Sequence, residues 1–298
     1  MITLLDGPLG TELAARGVST QLPLWSAAAI DTAPEIIAQI HRDYAEAGAT
    51  VHTANTFRTK RRTAGEDWLR MTHDAVRIAR QNVPRTHRIA GSISPLEDCY
   101  HPERSPGRRS RREHREMAEA LAASHCDLLL CETFPNVEEA VVAVEEAVRT
   151  GIATWLALTA GPHSNLLTPE QMVQGARQAV SVGASAVLVN CTPATDTLRF
   201  IQALHAARLG VPIGAYANAG SVDDQVGWQP TGAIASRSKG AALYCELARQ
   251  WIASGATLIG GCCGTTPAHI AALHARFCSP RSEPADRSEP AELREQED

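Results

Sequence analysis

Two adjacent cysteines, Cys262 and Cys263, stand among Gly260, Gly261 and Gly264 at the end of an apolar run. A third, Cys191, closes another run, Val187-Leu188-Val189-Asn190-Cys191. Three thiolates that leave a fourth position open make a candidate catalytic zinc site. Neighbours on a strand point to opposite faces, so Cys262 and Cys263 reach one ion only if the strand bends there. The flanking glycines permit that bend, because they tolerate backbone angles and close approaches that a β-carbon forbids. Two other readings stay open. Free cysteines often serve as small buried hydrophobes, and this set lacks a CxxC signature. A disulfide between the two neighbours is disfavoured by its geometry.

The elements that must bring Cys191 to the pair are legible as alternation. Eight short apolar runs, at 2–5, 50–53, 88–92, 127–131, 154–158, 186–189, 212–215 and 257–259, are separated by helical patterns. Val137, Val141, Val144 and Val148 recur at helical spacing, and Asn136 with Glu139 resembles a capping box at the start of that helix. Thr168-Pro169-Glu170-Gln171 and Thr266-Pro267 read as further helix starts, and Leu243, Leu247 and Trp251 as a core stripe. Gly48, Gly151, Gly183, Gly210 and Gly255 each follow a helical pattern, where a helix usually ends. The fold class is therefore α/β, a single (β/α)8 barrel over 1–278, with a doubly wound open sheet as the alternative.

In a barrel the C-terminal ends of the strands converge on one rim, where active sites lie. Those ends carry Asp6-Gly7, Asn55-Thr56, Ser94, Glu132-Thr133, Thr159, Asn190-Cys191, Asn218 and Cys262-Cys263. The rim thus gathers Cys191 with the pair, and makes Asp6, Gly7, Asn55, Thr56, Glu132, Asn190 and Asn218 candidates for binding substrate. Two longer connections, 101–112 and 220–236 with Trp228, are candidate lids. The arginines of 104–112, like Lys60-Arg61-Arg62, read as a solvated face.

Composition excludes several classes. The chain has 298 residues, is 44% hydrophobic and 20% charged, and carries a net charge of −5, as an ordinary globular protein does. Much of that charge sits in 279–298, where Glu283, Asp286, Glu289, Glu292, Glu295, Glu297 and Asp298 outnumber Arg281, Arg287 and Arg294. This acidic, proline-bearing segment cannot bury a core and is expected to be a disordered tail. Nothing in the charge pattern points to nucleic acid, and no apolar stretch approaches membrane-spanning length. Eight cysteines without a signal-peptide pattern predict a reducing compartment, the cytoplasm. No GxGxxG follows a strand, and neither a Ser-His-Asp order nor HExxH is present. His52, His163 and His269 read as surface or hydrogen-bonded groups.

Four motifs in order, DGPLGTEL at 6–13, LLLCET at 128–133, Val189-Asn190-Cys191 and GGCCGTTP at 260–267, resemble those of homocysteine S-methyltransferases. The resemblance covers nearly all of the chain to about Phe277. It implies a barrel with Zn2+ on Cys191, Cys262 and Cys263, and homocysteine held near Asp6-Gly7 and by Glu132. Leu24-Trp25-Ser26-Ala27 looks like the branch whose methyl donor is S-methylmethionine or S-adenosylmethionine. Two positions depart from the family pattern. Pro8 stands where a small residue is common, which removes a backbone N–H, and the stretch Tyr216-Ala217-Asn218-Ala219-Gly220 has alanine where proline is frequent.

The implied chemistry suits the residues. A free thiol is only a few per cent thiolate at neutral pH, and a bound metal deprotonates it outright. A sulfonium donor leaves as a neutral thioether, so no general acid is needed. The expected partners are small molecules alone, homocysteine and a sulfonium donor, with the oligomeric state left open. Alternatives are selenocysteine as acceptor, betaine as donor, or a non-catalytic zinc- or thiol-binding barrel.

Overall fold

Each of the eight apolar runs becomes a strand: β1 Thr3–Leu4, β2 Val51–Thr53, β3 Arg88–Ile93, β4 Leu128–Phe134, β5 Thr154–Leu158, β6 Ala186–Pro193, β7 Ile213–Asn218 and β8 Leu258–Gly261. This computed structural model describes residues 1–219, 221–223, 227–229 and 237–279. After the strands come, in turn, α1 Pro34–Glu46, α2 Trp68–Gln81, α3 Arg111–Ala123, α4 Val137–Val148, α5 Pro169–Ser181, α6 Thr197–Ala206, α7 Arg237–Ala253 and α8 Pro267–Phe277. Neighbouring strands are parallel, in the order β1-β8-β7-β6-β5-β4-β3-β2. A parallel bridge from Leu5 to Val51 joins the two ends of that order. It is reinforced by the Asp6 N–H, which donates to the Val51 carbonyl at 2.9 Å. The alternation read from the sequence is thus a closed (β/α)8 barrel and not an open sheet.

Closure sorts the side chains by period two. Leu5, Val51, Leu128, Leu130, Leu188 and Tyr216 fill the lumen. Leu4, Leu129, Cys131, Val187 and Val189 pack outward in the larger core that also takes in buried residues of the helices. Leu128 and Leu130 face inward, so Glu132, two positions on, faces inward at the rim. Asn190 follows Leu188 in the same way.

The helix ends follow the sequence reading. The five glycines expected past helix ends all have positive φ, from 76° at Gly210 to 114° at Gly183, the left-handed conformation that closes a helix. Thr168 and Gln171 form a reciprocal capping box at α5, and Thr266-Pro267 opens α8. At α4 only half of the expected box exists. Asn136 accepts from the Glu139 N–H, but the Glu139 carboxylate turns away to the Leu96 N–H, Ser105 and His114.

Two helix faces are rotated from the expected ones. In α4 the buried stripe runs through Ala140, Ala143, Val144 and Ala147, while Val137 and Val148 flank it beside Gly175 and Gly183 of α5 and its end. In α7, Tyr244, Ala248 and Trp251 are buried and Leu243 is 41% exposed. A helix in a barrel also packs sideways on its neighbours, which draws large apolar residues to its flanks. Among the described residues no helix is long and apolar enough to cross a membrane. The expected tail 279–298 lies outside the described residues except for Ser279, as does most of the 220–236 connection.

Candidate metal and substrate site

The strand carrying GGCCGTTP ends at Gly261, before the two cysteines. A β-carbon on Gly260 would lie 2.7 Å from that of Leu5, and one on Gly261 would strike the Thr265 side chain, so neither position admits a larger residue. Beyond them the chain turns, with Gly264 at φ 81°. The Cys262 N–H donates to the Ala217 carbonyl at 2.9 Å, and the Ala219 N–H to the Cys263 carbonyl at 2.8 Å. This turn is the bend that two neighbouring cysteines need to face one point.

Cys191 reaches the same point from β6. Its own φ is 46°, and the β6–β7 register shifts between Asn190 and Pro193. Thr133 on β4 has φ 63°, again at a register shift. Positive φ at a β-branched residue is strained and needs support. The support is mutual. The Thr133 N–H donates to Asn190 Oδ1 at 3.2 Å, and Asn190 Nδ2 donates to Thr133 Oγ1 at 2.7 Å. Thr133 Oγ1 in turn lies 3.8 Å from Cys191 Sγ. The Thr159 hydroxyl holds the Cys191 carbonyl at 3.2 Å.

The result is a cluster of three thiols. Cys191 Sγ and Cys262 Sγ are 3.0 Å apart, and all three sulfurs lie within 4.8 Å of one another. Their hydrogen bonding to one another and their burial leave all three thiols well above the usual thiol range. Such a packed, desolvated set of soft donors holds a divalent ion readily, because the ion removes the protons and balances the charge.

The cluster forms one wall of a cavity of about 160 Å³ at the rim, also lined by Asp6, Gly7, Trp25, Asn55, Phe57, Tyr100, Glu132 and Tyr216. Glu132 is buried, and its carboxylate accepts from Ser92 Oγ and, at 2.9 Å, from Tyr216 Oη. Burial pushes its pKa up, against the pull of those two bonds. Asp6 also lines the cavity, and its carboxylate accepts the Thr53 N–H at 2.9 Å and hydroxyl at 3.2 Å. Burial raises it well above the carboxylate range. Both acids are thus pushed toward the neutral form by burial.

The other candidates are placed differently. Asn55 lines the cavity and donates from Nδ2 to the Ser26 carbonyl at 2.8 Å. Thr56 bonds the Ser92 backbone, Asn190 serves the Thr133 clasp, and neither lines the cavity. Asn218 is buried, and its side-chain amide has no partner among the described residues. Lys60, read from the sequence as part of a solvated face, is instead buried and donates from Nζ to Ser94 Oγ at 3.0 Å. In 101–112, Arg111 and Arg108 pair with Glu145, Glu146 and Glu138 of α4, on the outside of the barrel. Tyr216, Ser92, Thr133 and Trp25 have parts that the sequence reading did not assign. Thr133 and Tyr216 had a usable signal, the first standing at a strand end and the second directly after a strand run.

Residues 3–277 match the family model described as homocysteine S-methyltransferase. The chain belongs to the homocysteine S-methyltransferase family. A homocysteine S-methyltransferase of Escherichia coli is 32% identical, over 92% of this chain and 95% of that protein. Homocysteine S-methyltransferase 1 of Zea mays is 30% identical, over 91% and 92%. A selenocysteine Se-methyltransferase of Brassica oleracea is 27% identical, over 94% and 90%. Among solved structures, the metallated form of the Escherichia coli homocysteine methyltransferase MmuM superimposes with a TM-score of 0.76, at 28% identity over 92% of this chain and 96% of that one. A metal centre is thus present in a similar protein, and this chain has a thiol cluster fit to hold one.

Proposed function

We propose that this chain transfers a methyl group from a sulfonium donor, S-methylmethionine or S-adenosylmethionine, to the thiol sulfur of homocysteine, giving methionine. The observation that carries the reading is the convergence of Cys191, Cys262 and Cys263 on one wall of a cavity that also presents Glu132. Three thiols with no carboxylate among them suit zinc. Zn2+ held by those cysteines would supply a position at which the acceptor thiol loses its proton and remains nucleophilic.

The remaining tasks fall to the chain's own side chains. Glu132 holds the acceptor's ammonium, which restores the ionised form that burial disfavours. Ser92 and Tyr216 keep the Glu132 carboxylate aimed into the cavity. Trp25 and Phe57, edge to face at 6.2 Å, line the cavity together with Tyr100 and offer π-faces to a sulfonium cation. In the transfer the donor's S–CH3 bond breaks as the new S–CH3 bond forms. The donor keeps the electron pair and leaves as a neutral thioether, so no acid has to protonate it. Among the described residues no histidine lines the cavity.

Selenocysteine is a second candidate acceptor, favoured by the similarity to selenocysteine methyltransferases of Brassica oleracea and Astragalus bisulcatus. The test is methionine formation from homocysteine and S-methylmethionine. It should stop on chelation and return with Zn2+. Undiminished turnover in metal-free protein would overturn the reading.

A further inference from the structure

We propose a second metal site, for a divalent transition ion of the zinc class, formed by Asp6, His41 and His52 where β1, α1 and β2 meet. It is separate from the three thiols and stands without the methyl-transfer reading. One ligand atom from each of the three residues lies within 4.8 Å of the other two. His41 stands in α1, His52 in β2 and Asp6 just beyond β1, and all three are buried.

The unsatisfied nitrogens carry the inference. His41 is 0% exposed, yet neither of its ring nitrogens has a hydrogen-bond partner, and His52 Nδ1 has none either. A buried polar atom left without a partner is costly, and an apolar side chain of the same size would avoid that cost. The His41 and His52 rings sit 6.3 Å apart at 74°, so the lone pair of one cannot satisfy the N–H of the other. An ion between them and Asp6 takes one lone pair from each ring.

The surroundings match what ligating groups have. His52 Nε2 is held by His87 Nδ1 at 3.1 Å, which leaves Nδ1 as the free donor. The Asp6 carboxylate is fixed by the Thr53 N–H and hydroxyl, and each carboxylate oxygen keeps a second lone pair. Such outer partners orient metal ligands. Both rings are buried, which favours the neutral imidazole, the form that ligates. Two imidazoles and one carboxylate suit Zn2+ or Co2+ and offer too little oxygen for Ca2+ or Mg2+.

The test begins with Cys191→Ser/Cys262→Ser/Cys263→Ser, which removes the thiols. This variant is loaded with Zn2+ both as folded protein and by refolding with the ion, because buried ligands can require opening before they load. After desalting it should retain about one zinc per chain. Adding His41→Gln or His52→Gln should abolish that zinc while circular dichroism stays unchanged. In the natural chain, Co2+ should be taken up in two equivalents. One gives sulfur-to-cobalt charge transfer, and the other adds only the visible bands of nitrogen and oxygen coordination. Absence of zinc from the triple variant under both loading regimes would overturn the proposal, as would zinc that survives both histidine changes. If the histidine variants do not fold, the cobalt titration decides. Saturation at one equivalent, with charge transfer, refutes the second site.

Discussion

Glu132→Gln isolates the contact on which acceptor recognition depends. The substitution keeps the size and most of the hydrogen-bonding capacity of the side chain, but removes the charge. The carboxylate is desolvated and already holds two hydroxyl donors, Ser92 and Tyr216. An ammonium added to this pair makes a charge-assisted bond in a place that water does not compete for. Losing a bond of that kind costs about 1.5–3 kcal/mol, or about 10- to 150-fold in affinity. The assay is the kcat and KM for homocysteine, set beside those for 4-mercaptobutanoate, the same molecule without the amino group. The natural chain should prefer homocysteine by about that factor, and Glu132→Gln should lose most of the preference through KM with little change in kcat. Metal content should not change. A variant that still discriminates fully between the two thiols would refute the ammonium contact, and one that loses its metal would place Glu132 in the metal centre instead.

Cys191→Ser should lose the metal of the thiol site and all turnover while keeping its far-ultraviolet circular dichroism, since the barrel core is built without the ion; full metal retention there would remove Cys191 from the site. Thr133→Val retains a β-branched residue at φ 63° but deletes the hydroxyl that takes Asn190 and approaches Cys191. Chelator competition should show metal held about 10- to 100-fold more weakly, as for other outer-partner losses, and unchanged affinity would contradict the clasp. Lys60 donates to Ser94 Oγ and the Pro95 carbonyl, and burial lowers it to about 7. Below its ordinary value near 10.4 the unfolded lysine holds a proton that the folded one has shed, so stability should fall as the pH drops toward 7. The expected loss is about 2 kcal/mol from pH 9 to 7.5, and it should be absent from urea titrations of Lys60→Met. An equal slope in both proteins would contradict it.

The architecture was legible because the barrel leaves a local mark at each step, an apolar run, a helical stripe and a glycine past the helix end. Its closure was legible only as an inference from the count of runs, since the Leu5–Val51 bridge pairs residues with no sequence signal linking them. The thiol cluster was legible because three cysteines at strand ends have one rim to share. What holds the cluster was not. Period two says that Glu132 and Asn190 face the lumen, but not that Tyr216 meets one and Thr133 the other. Positive φ at Thr133 and Cys191 is equally silent, since neither is glycine and the strain is carried by partners far along the chain. The rotated faces of α4 and α7 have a simpler cause. Apolar residues at helical spacing mark a side of the helix without saying whether the sheet or the next helix covers it. Leu243 shows the limit, exposed although it falls in the same periodic stripe as the buried Trp251.

The central claim is that the methyl group must come from a positive sulfur. It is tested most directly by turnover at saturating homocysteine with a panel of donors, zinc being counted in the same sample. S-methylmethionine should be the fastest donor and S-adenosylmethionine slower. Methionine should fail, because its leaving group would be a thiolate with no acid to protonate it. Activity with methyltetrahydrofolate alone, comparable to that with S-methylmethionine, would contradict the account.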